Sequence, residues 1–354
     1  MMSKRVLLTG VGGFIGAHCL EYFLNHTDWE IIGIDSFRHK GTYRRVEEAS
    51  KRHVDFISSI HNRDRFKVYY HDLSAPIDDQ LEKLVLNRRL EDGNIVEDKI
   101  DYIINMASDS AVERSTKDPR HCLFNNYELV FNMLEFARKI KPEIFFQVST
   151  DEVYGEAKQN QAHDEWDVIM PSNPYAASKA AQEAMAIAYW RTYGVPVVLT
   201  NTMNNIGEWQ DAEKFLPKII QKVYKGEEVP IYADNPDNIG TRYYMHAKNH
   251  ADAFVFLSQF PPSSYEEGGE RPDRYNICGD IELNNLEMAQ TIAKCMGKDL
   301  KYKLIKSESA RKGYDRRYAL DGSKMKEKGW NPPYSFDSSI DSIVDWTLEN
   351  PHWI

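Results

Sequence analysis

Up to about residue 200 the chain repeats one pattern, a short apolar run followed by a longer segment with apolar residues three and four apart. "RVLLTG", "EIIGID", "KVYYHD", "IDYIINMA", "EIFFQVST" and "VPVVLTN" are rich in β-branched or aromatic residues and short enough for strands buried on both faces. Between two of them, Leu123, Tyr127, Val130, Phe131, Leu134 and Ala137 fall on one helical stripe. Parallel strands need crossover connections, and the crossover helices must cover the sheet, so this alternation predicts an α/β fold with a doubly wound parallel sheet. After residue 205 the rhythm becomes irregular. Apolar helices are expected around 215–224, 247–259, 284–296 and 338–349, joined by loops such as "ADNPDNIGTR" and "PPSSYEEGGERPD". The expected division is a sheet domain over 1–205 and a smaller mixed α/β C-terminal lobe over 206–354, with some chain crossing between them.

Bulk composition narrows the function classes. With 354 residues, 42% hydrophobic and 28% charged, the chain is ordinary globular protein, long enough for a large domain plus a lobe. A net charge of −10 argues against a nucleic-acid or anionic-membrane binder, which needs a basic surface. Segment 38–66 concentrates Arg38, Lys40, Arg44, Arg45, Lys51, Arg52, Arg63 and Arg65. Without interleaved aromatics for base stacking it reads as a solvated helix and loop. Cys19, Cys122, Cys278 and Cys295 form no CxxC pair, as expected of buried free thiols in a reducing compartment, and no metal site is expected. The N-terminus has no apolar signal core, and no run approaches the ~20 apolar residues of a membrane span, so the expected location is cytoplasmic.

Against this background three groups of residues could carry chemistry. "VLLTGVGGFIGAHCLEYFL" sets Gly10, Gly13 and Gly16 between the first strand and an amphipathic helix. Such glycines allow a tight turn and let backbone N–H groups approach a pyrophosphate at the positive helix end, the signature of a Rossmann-type dinucleotide site. Asp35 closes the second strand, where a carboxylate can accept the ribose hydroxyls of NAD and would repel the 2′-phosphate of NADP. Arg38 and Lys40 nearby leave that choice open. Asp72, followed by Leu73, is placed to contact adenine or to cap a helix. In "NPYAASKAAQEAMAIAYW", Tyr175 and Lys179 stand at i and i+4 on one helix face. An ammonium there favours the phenolate and can hold the nicotinamide ribose. Tyr-x-x-x-Lys is common by chance, but here it follows a dinucleotide fingerprint and a strand ending in Ser149–Thr150. Finally, "FFQVSTDEVYG" places Asp151 and Glu152 side by side where that strand ends, either as turn and cap residues or as an acid and a base.

Taken together, the chain resembles the extended short-chain dehydrogenases/reductases, and among them the nucleotide-sugar 4,6-dehydratases of the dTDP-glucose type. "STDEVYG" is the most telling match, because related epimerases and decarboxylases usually lack the adjacent Asp–Glu. "TGVGGFIGAH", "NPYAASKAA", "AEKFLPKII", "YNICG", "DRRYALD" and "KGWNPPYSFDSSIDSIVDWTLENPHW" carry the similarity from end to end. The resemblance implies a bound NAD with Phe14, Ile15 and Ala107 also beside it, and a nucleoside-diphosphate sugar as substrate. It implies that Tyr175 takes the proton from the hydroxyl on sugar carbon 4, with Thr150 orienting that hydroxyl, while hydride passes to NAD. Glu152 then removes the carbon-5 proton, Asp151 protonates the departing carbon-6 hydroxyl, and the hydride returns to carbon 6. The smaller lobe is implied to hold the nucleotide, with Arg242 and Arg311 on its phosphates, Asn205 and Asn276 on the substrate side, and Lys214, Leu216 and Tyr314 nearby. A homodimer through the helices near 119–140 and 174–193 is expected, with Phe131, Met185 and Trp190 able to serve an interface or a core, as is a place in deoxysugar or surface-glycan biosynthesis.

The chain departs from the family pattern on the substrate side. "MASDSAVERS" has Asp109 and Ala111 where a glutamate and a histidine are usual, Tyr314 stands for a histidine, "NIGTRYYMH" surrounds Arg242, and "NNIGEWQ" replaces an "NNYGP"-like loop. The reaction is therefore better specified than the base or the sugar. A 4-epimerase or decarboxylase needs no acid at carbon 6, and a non-catalytic NAD-binding sensor would be expected to lack one of Thr150, Tyr175 and Lys179.

Overall fold

The computed structural model describes residues 3–38, 41–51, 65–90, 93–233, 235, 238–306 and 315–353, excepting the side chain of Arg89. The chain divides into two compact units, neither continuous in sequence. Unit one comprises residues 1–149, 174–200 and 254–275, and unit two comprises 150–173, 201–253 and 276–354. Residues 150–173, which carry the Thr-Asp-Glu triplet, thus group with the second unit. No helix among the described residues is long and apolar enough to cross a membrane.

The strands in chain order are β1 (Arg5–Thr9), β2 (Glu30–Asp35), β3 (Phe66–Tyr70), β4 (Asn87–Arg89), β5 (Ile95–Glu97), β6 (Tyr102–Asn105), β7 (Ile144–Val148), β8 (Val197–Thr202), β9 (Asn204–Ile206), β10 (Val229–Tyr232), β11 (Thr241–His246), β12 (Asp273–Ile277), β13 (Ile281–Asn284) and β14 (Tyr302–Ile305). Unit one is built on a seven-stranded sheet in the order β12-β8-β7-β6-β1-β2-β3. Its pairings from β3 through β8 are all parallel. β1, β2, β6 and β7 are buried along their whole length, as their near-continuous apolar sequences require in a sheet covered on both faces. The strand order reverses at β1, with β2 and β3 to one side and β6, β7 and β8 to the other. The crevice beyond the carboxyl ends of β1 and β6 is the switch point where folds of this type receive ligands. The loops after β1 and β6 touch there, since a Cβ added to Gly10 would lie 3.1 Å from Ala107 Cα.

In the described part of the basic segment, Arg44 and Lys51 are exposed on a helix as expected, while Arg45 and Arg65 are drawn into the fold. Arg65 donates to the carbonyls of Leu24 (3.2 Å) and Thr27 (2.6 Å), closing the C-terminal end of helix Phe14–His26. Arg45, on helix Tyr43–Lys51, is buried, with Nη1 donating to Gly12 O at 3.5 Å. Lys40, Arg52 and Arg63 lie outside the described residues.

Helix Pro119–Ile140, capped by Asp118 and opened by Pro119, packs along helix Pro174–Tyr193. Of the two roles open to Trp190, interface or core, the structure gives it the core. It is buried, and its indole donates to Ser263 O at 2.7 Å, so it belongs to the core and not to an outer face. Leu123, Phe124, Tyr127 and Phe131 line the outward face of helix 119–140, with Phe124 55% and Phe131 42% exposed.

Unit two has its own core. Helices Phe215–Lys225, Asn285–Cys295 and Phe336–Glu349 contribute Ile219, Ile220, Met288, Ile292, Ile340 and Ile343 to it, against β10 and β11. β11 pairs antiparallel with β13 and parallel with β9, and β10 pairs with β14. The helix at 285 opens with a reciprocal Asn284–Glu287 capping box.

Candidate active site

In unit one the glycine turn forms as its sequence demands. Gly10 has φ +72°, a conformation side chains rarely adopt, and a Cβ on Gly16 would come within 2.1 Å of Gly10 O. Gly13 is the N-cap of helix Phe14–His26, with no side-chain cap and no acidic residue in the first turn. The first-turn N–H groups, those of Phe14 and Ile15 among them, therefore present an uncapped positive helix end to the switch-point crevice. Asp35 is buried and held at both oxygens, Oδ2 accepting from Gly12 N at 2.8 Å and Oδ1 from Phe37 N at 2.7 Å. Burial pushes its carboxyl above the usual range, while those N–H bonds and the charge of Arg45 pull it back. Gly41 packs so closely on this carboxylate that a Cβ there would lie 2.5 Å from Oδ1. A glycine cradle, an open helix end and an oriented strand-end carboxylate fit a dinucleotide.

Asp72 caps no helix. It accepts from Ser74 N at 3.1 Å and pairs with Arg38, while the helix that follows, Asp79–Leu86, is capped by Asp78. Leu73 is buried, and its carbonyl accepts from Asn132 at 2.8 Å. Ala107 donates its N–H to Thr9 Oγ1 at 3.1 Å.

Tyr175 and Lys179 lie in the first two turns of helix Pro174–Tyr193. Lys179 is buried, and burial pushes its amine down to about 8, against the pull of the Glu183 carboxylate. Its Nζ donates to Gln182 Oε1 at 2.7 Å, and Gln182 in turn donates to Asn126 O at 2.7 Å. Gln147 donates to Gln182 Oε1 at 3.2 Å, Asn105 to Gln147 at 2.9 Å and Thr9 to Asn105 at 2.9 Å. A buried polar chain thus runs from β1 through β6 and β7 to the lysine. Sequence reasoning missed Gln182, Gln147 and Asn105. The available signal was a polar residue near the end of two otherwise apolar strands.

In unit two, residues Asp151–Tyr154 form a 3₁₀ turn whose N-cap is Thr150, not either carboxylate. Thr150 Oγ1 accepts from Glu152 N at 3.4 Å and donates to Asp151 Oδ1 at 2.9 Å. Gly155 ends the turn at φ +78°, with Met170 O where a Cβ would fall. Asp151 is buried, and among the described residues its Oδ2 has no hydrogen-bond partner. Burial, then the neighbouring charge of Glu152, raises its carboxyl to about 7. Glu152 is also raised by burial, but Asn173 Nδ2 donates to its Oε2 at 2.9 Å, and Arg242 and Lys214 favour its anion. The two carboxyls are thereby differentiated, one kept neutral near pH 7 and the other supplied with partners for its charge. Asn173, just before the Pro-Tyr of the helix, went unrecognised in the sequence.

Around this pair, Arg242 is buried against the Tyr318 ring at 4.4 Å and donates to the carbonyls of Asp315 and Arg316, both at 2.7 Å. Asn205 keeps a buried Oδ1 without a partner among the described residues, while its Nδ2 donates to Met203 O at 3.1 Å. Asn276 is fully buried and spends its amide hydrogens on His163 O (2.9 Å) and Asp321 O (3.1 Å). Lys214 is the N-cap residue of helix Phe215–Lys225, and the Leu216 side chain lies in the core of unit two. Arg311 and Tyr314 lie outside the described residues. In unit one, Asp109 accepts from Arg114 Nη2 at 2.6 Å and from Ala111 N at 3.2 Å, so the shortened acid of "MASDSAVERS" braces its own loop.

Comparison with known proteins agrees with this geometry. The GDP-mannose 4,6 dehydratase family matches residues 7–343. The low-salt glycan biosynthesis protein Agl12 of Haloferax volcanii is 31% identical over 293 residues, covering 82% of each chain. The dTDP-glucose 4,6-dehydratase of Haemophilus influenzae is 31% identical over 306 residues, 82% of this chain and 79% of that one. The solved structure of DesIV, a dTDP-glucose 4,6-dehydratase from Streptomyces venezuelae with NAD and TYD bound, superimposes with a TM-score of 0.80 at 29% identity, covering 99% of this chain and 98% of that one. The glycine cradle, the Tyr-Lys helix and the Thr-Asp-Glu turn thus stand in a chain that belongs to the NAD-dependent epimerase/dehydratase family of extended short-chain dehydrogenases/reductases, on its nucleotide-sugar 4,6-dehydratase side.

Proposed function

We propose that the protein dehydrates a nucleoside-diphosphate hexose to the 4-keto-6-deoxy sugar, with dTDP-glucose the leading substrate and UDP-, CDP- or GDP-linked hexoses behind it. The observation that carries this reading is the Asp151 carboxyl, buried directly beside Glu152 with Oδ1 on the Thr150 hydroxyl, where burial and the neighbouring charge push it up to about 7. A neutral carboxylic acid is what loss of an unactivated hydroxyl requires, and an epimerase or decarboxylase has no use for one.

The glycine turn and Asp35 would hold NAD, which would supply a reversible two-electron acceptor beside the sugar. The rest is proton handling by side chains. Tyr175 takes the proton of the carbon-4 hydroxyl, with the Lys179 ammonium favouring its phenolate. Thr150, whose hydroxyl rests on Asp151 at 2.9 Å, orients that carbon-4 hydroxyl. The ketone acidifies the hydrogen on carbon 5, which Glu152 removes, and Asp151 Oδ1 or Oδ2 protonates the carbon-6 oxygen as its bond to carbon breaks. The C5–H and C6–O bonds break as the carbon-6 hydroxyl leaves as water with the Asp151 proton. As hydride is restored at carbon 6, Glu152 returns its proton to carbon 5, and the proton taken by Tyr175 passes back to Asp151 through solvent, so the net loss is one water and every group ends as it began. Arg242 and Arg311 serve the diphosphate by bidentate pairing, with Lys214, Leu216, Asn205, Asn276 and Tyr314 toward the nucleotide and sugar.

The similarity to DesIV and to the Haemophilus protein supports the dTDP donor, and the similarity to Agl12 supports a place in glycan biosynthesis. A homodimer through the outward face of helix 119–140 accords with its exposed Leu123, Phe124, Tyr127 and Phe131, and a cytoplasmic location accords with the four free cysteines. The test is a mass-spectrometric endpoint assay with dTDP-glucose, UDP-glucose, CDP-glucose, GDP-mannose and UDP-N-acetylglucosamine. A product lighter by one water from one donor supports the reading and names the base. An isomer of unchanged mass refutes it in favour of an epimerase.

A further inference from the structure

Three residues beyond Asp35, the chain carries Arg38, the kind of residue that accommodates a 2′-phosphate in NADP-dependent folds. By charge alone the segment is ambiguous, a carboxylate that disfavours NADP followed at once by a guanidinium that favours it. The structure shows where the Arg38 charge goes, while Lys40 lies outside the described residues. Arg38 Nη2 donates to Asp72 Oδ1 at 2.7 Å, and Nη1 lies 2.7 Å from Asp72 Oδ2, a bidentate fork on the loop after β3. Nη2 also reaches Asn125 Oδ1 at 3.4 Å on helix 119–140. Both terminal nitrogens of the guanidinium are thus engaged within unit one, and its charge is matched by a carboxylate. Among the described residues no guanidinium forks onto Asp35 in this way, although the charge of Arg45 acts on it. The Asp35 oxygens are held by the N–H groups of Gly12 and Phe37, which orient the carboxylate and leave its charge in place.

We propose that Asp72 is a positioning residue for cofactor choice: by holding Arg38, it leaves Asp35 as the charge that meets the adenosine ribose, and so selects NAD over NADP. The inference rests on the dinucleotide reading of unit one and is independent of the sugar chemistry. Removing the Asp72 charge frees a guanidinium at a strand end where a 2′-phosphate would attract it. Removing Arg38 as well takes that gain away. The effect of Arg38 on NADP therefore depends on whether Asp72 is charged, which simple loss of a surface ion pair would not produce.

The experiment uses the purified protein, Arg38→Ala, Asp72→Asn, Asp72→Ser and the Arg38→Ala/Asp72→Asn double variant. Each is equilibrated with equal concentrations of NAD⁺ and NADP⁺ and desalted, and the nucleotides released on denaturation are quantified. Asn and Ser both retain an acceptor for Ser74 N, and circular-dichroism melts check folding. The expected result is that the wild type retains NAD, that either Asp72 variant raises the NADP:NAD ratio by about tenfold, one charge-assisted contact's worth, and that Arg38→Ala alone and the double variant keep the wild-type ratio. An unchanged ratio in both Asp72 variants overturns the proposal, as does an Arg38→Ala effect of equal size in both backgrounds. Asp72 variants that hold no dinucleotide also overturn it, since Asp72 would then hold adenosine directly. A wild type that retains neither nucleotide refutes the cofactor reading itself, and so separates the two failures.

Discussion

Replacing Asp151 with Asn should abolish dehydration and at the same time stabilise the protein, by an amount that depends on pH in a specific way. In the folded chain burial and Glu152 hold the Asp151 carboxyl at about 7, against an ordinary value of 3.8. A group whose folded pKa is raised stabilises fully below its unfolded pKa and loses that contribution as pH rises through the folded one. For Asp151 the window runs from about pH 4 to about pH 7. Three units at about 1.4 kcal/mol each amount to about 4 kcal/mol lost by the wild type across that window and retained by the always-neutral asparagine. An amide nitrogen without a partner in the same place costs about 1–3 kcal/mol, but that cost does not vary with pH. The pH dependence of the difference between the two proteins therefore isolates the ionisation. At about 2.1 cal/mol/K per residue over 354 residues, the full effect corresponds to a melting difference of about 5 °C that opens between pH 4 and 7 and is flat above. Calorimetry of both proteins from pH 4.5 to 8.5 reads it directly. A difference that stays constant with pH, or shrinks as pH rises, would refute the claim that Asp151 is a neutral acid in its resting site.

Further consequences follow from the same geometry. The pH profile of kcat should fall on the alkaline side near pH 7 as Asp151 ionises, and on the acid side above the usual carboxylate range because Glu152 is raised; a 6-deoxy-6-fluoro substrate, whose leaving group needs less protonation, should lose the alkaline limb. Asn173→Ala removes the 2.9 Å donor that favours the Glu152 anion and should move the acid limb upward while lowering kcat about tenfold to a hundredfold; a kcat loss with no movement of the limb would mark a merely structural role. Phe124→Glu with Phe131→Glu should yield monomers in sedimentation at micromolar concentration, whereas a wild type already monomeric there would dismiss the dimer.

What could be read from the sequence was mostly local. The glycine turn was legible because φ +72° at Gly10 and the close approach at Gly16 are requirements that only glycine meets, and five of the six opening strands were legible because burial on both faces leaves apolar runs, whereas the half-buried β3 was legible from its aromatic and β-branched residues alone. β12 went unseen for the opposite reason. Its Arg274 is buried by pairing with Glu183 on a distant helix, so a core strand carries charge and looks like loop. The polar chain behind Lys179 has the same character, since Asn105, Gln147 and Gln182 acquire meaning only when β6, β7 and helix 174–193 come together. At Asp151 and Glu152 the sequence offered capping or catalysis, and the structure gives the capping role to Thr150, leaving Asp151 Oδ2 buried without a partner among the described residues. Arg38 could be counted in the sequence as a basic residue, but not as one whose charge is matched by Asp72.

The most direct test of the account follows one atom. Incubated with dTDP-glucose carrying deuterium at carbon 4, the protein should give a product lighter by one water with that deuterium retained at carbon 6, and Asp151→Asn should give little or none of it. A product of unchanged mass, or one dehydrated without deuterium at carbon 6, would contradict the assignment of Asp151 and Glu152 as the acid and base of an internal oxidation, elimination and reduction.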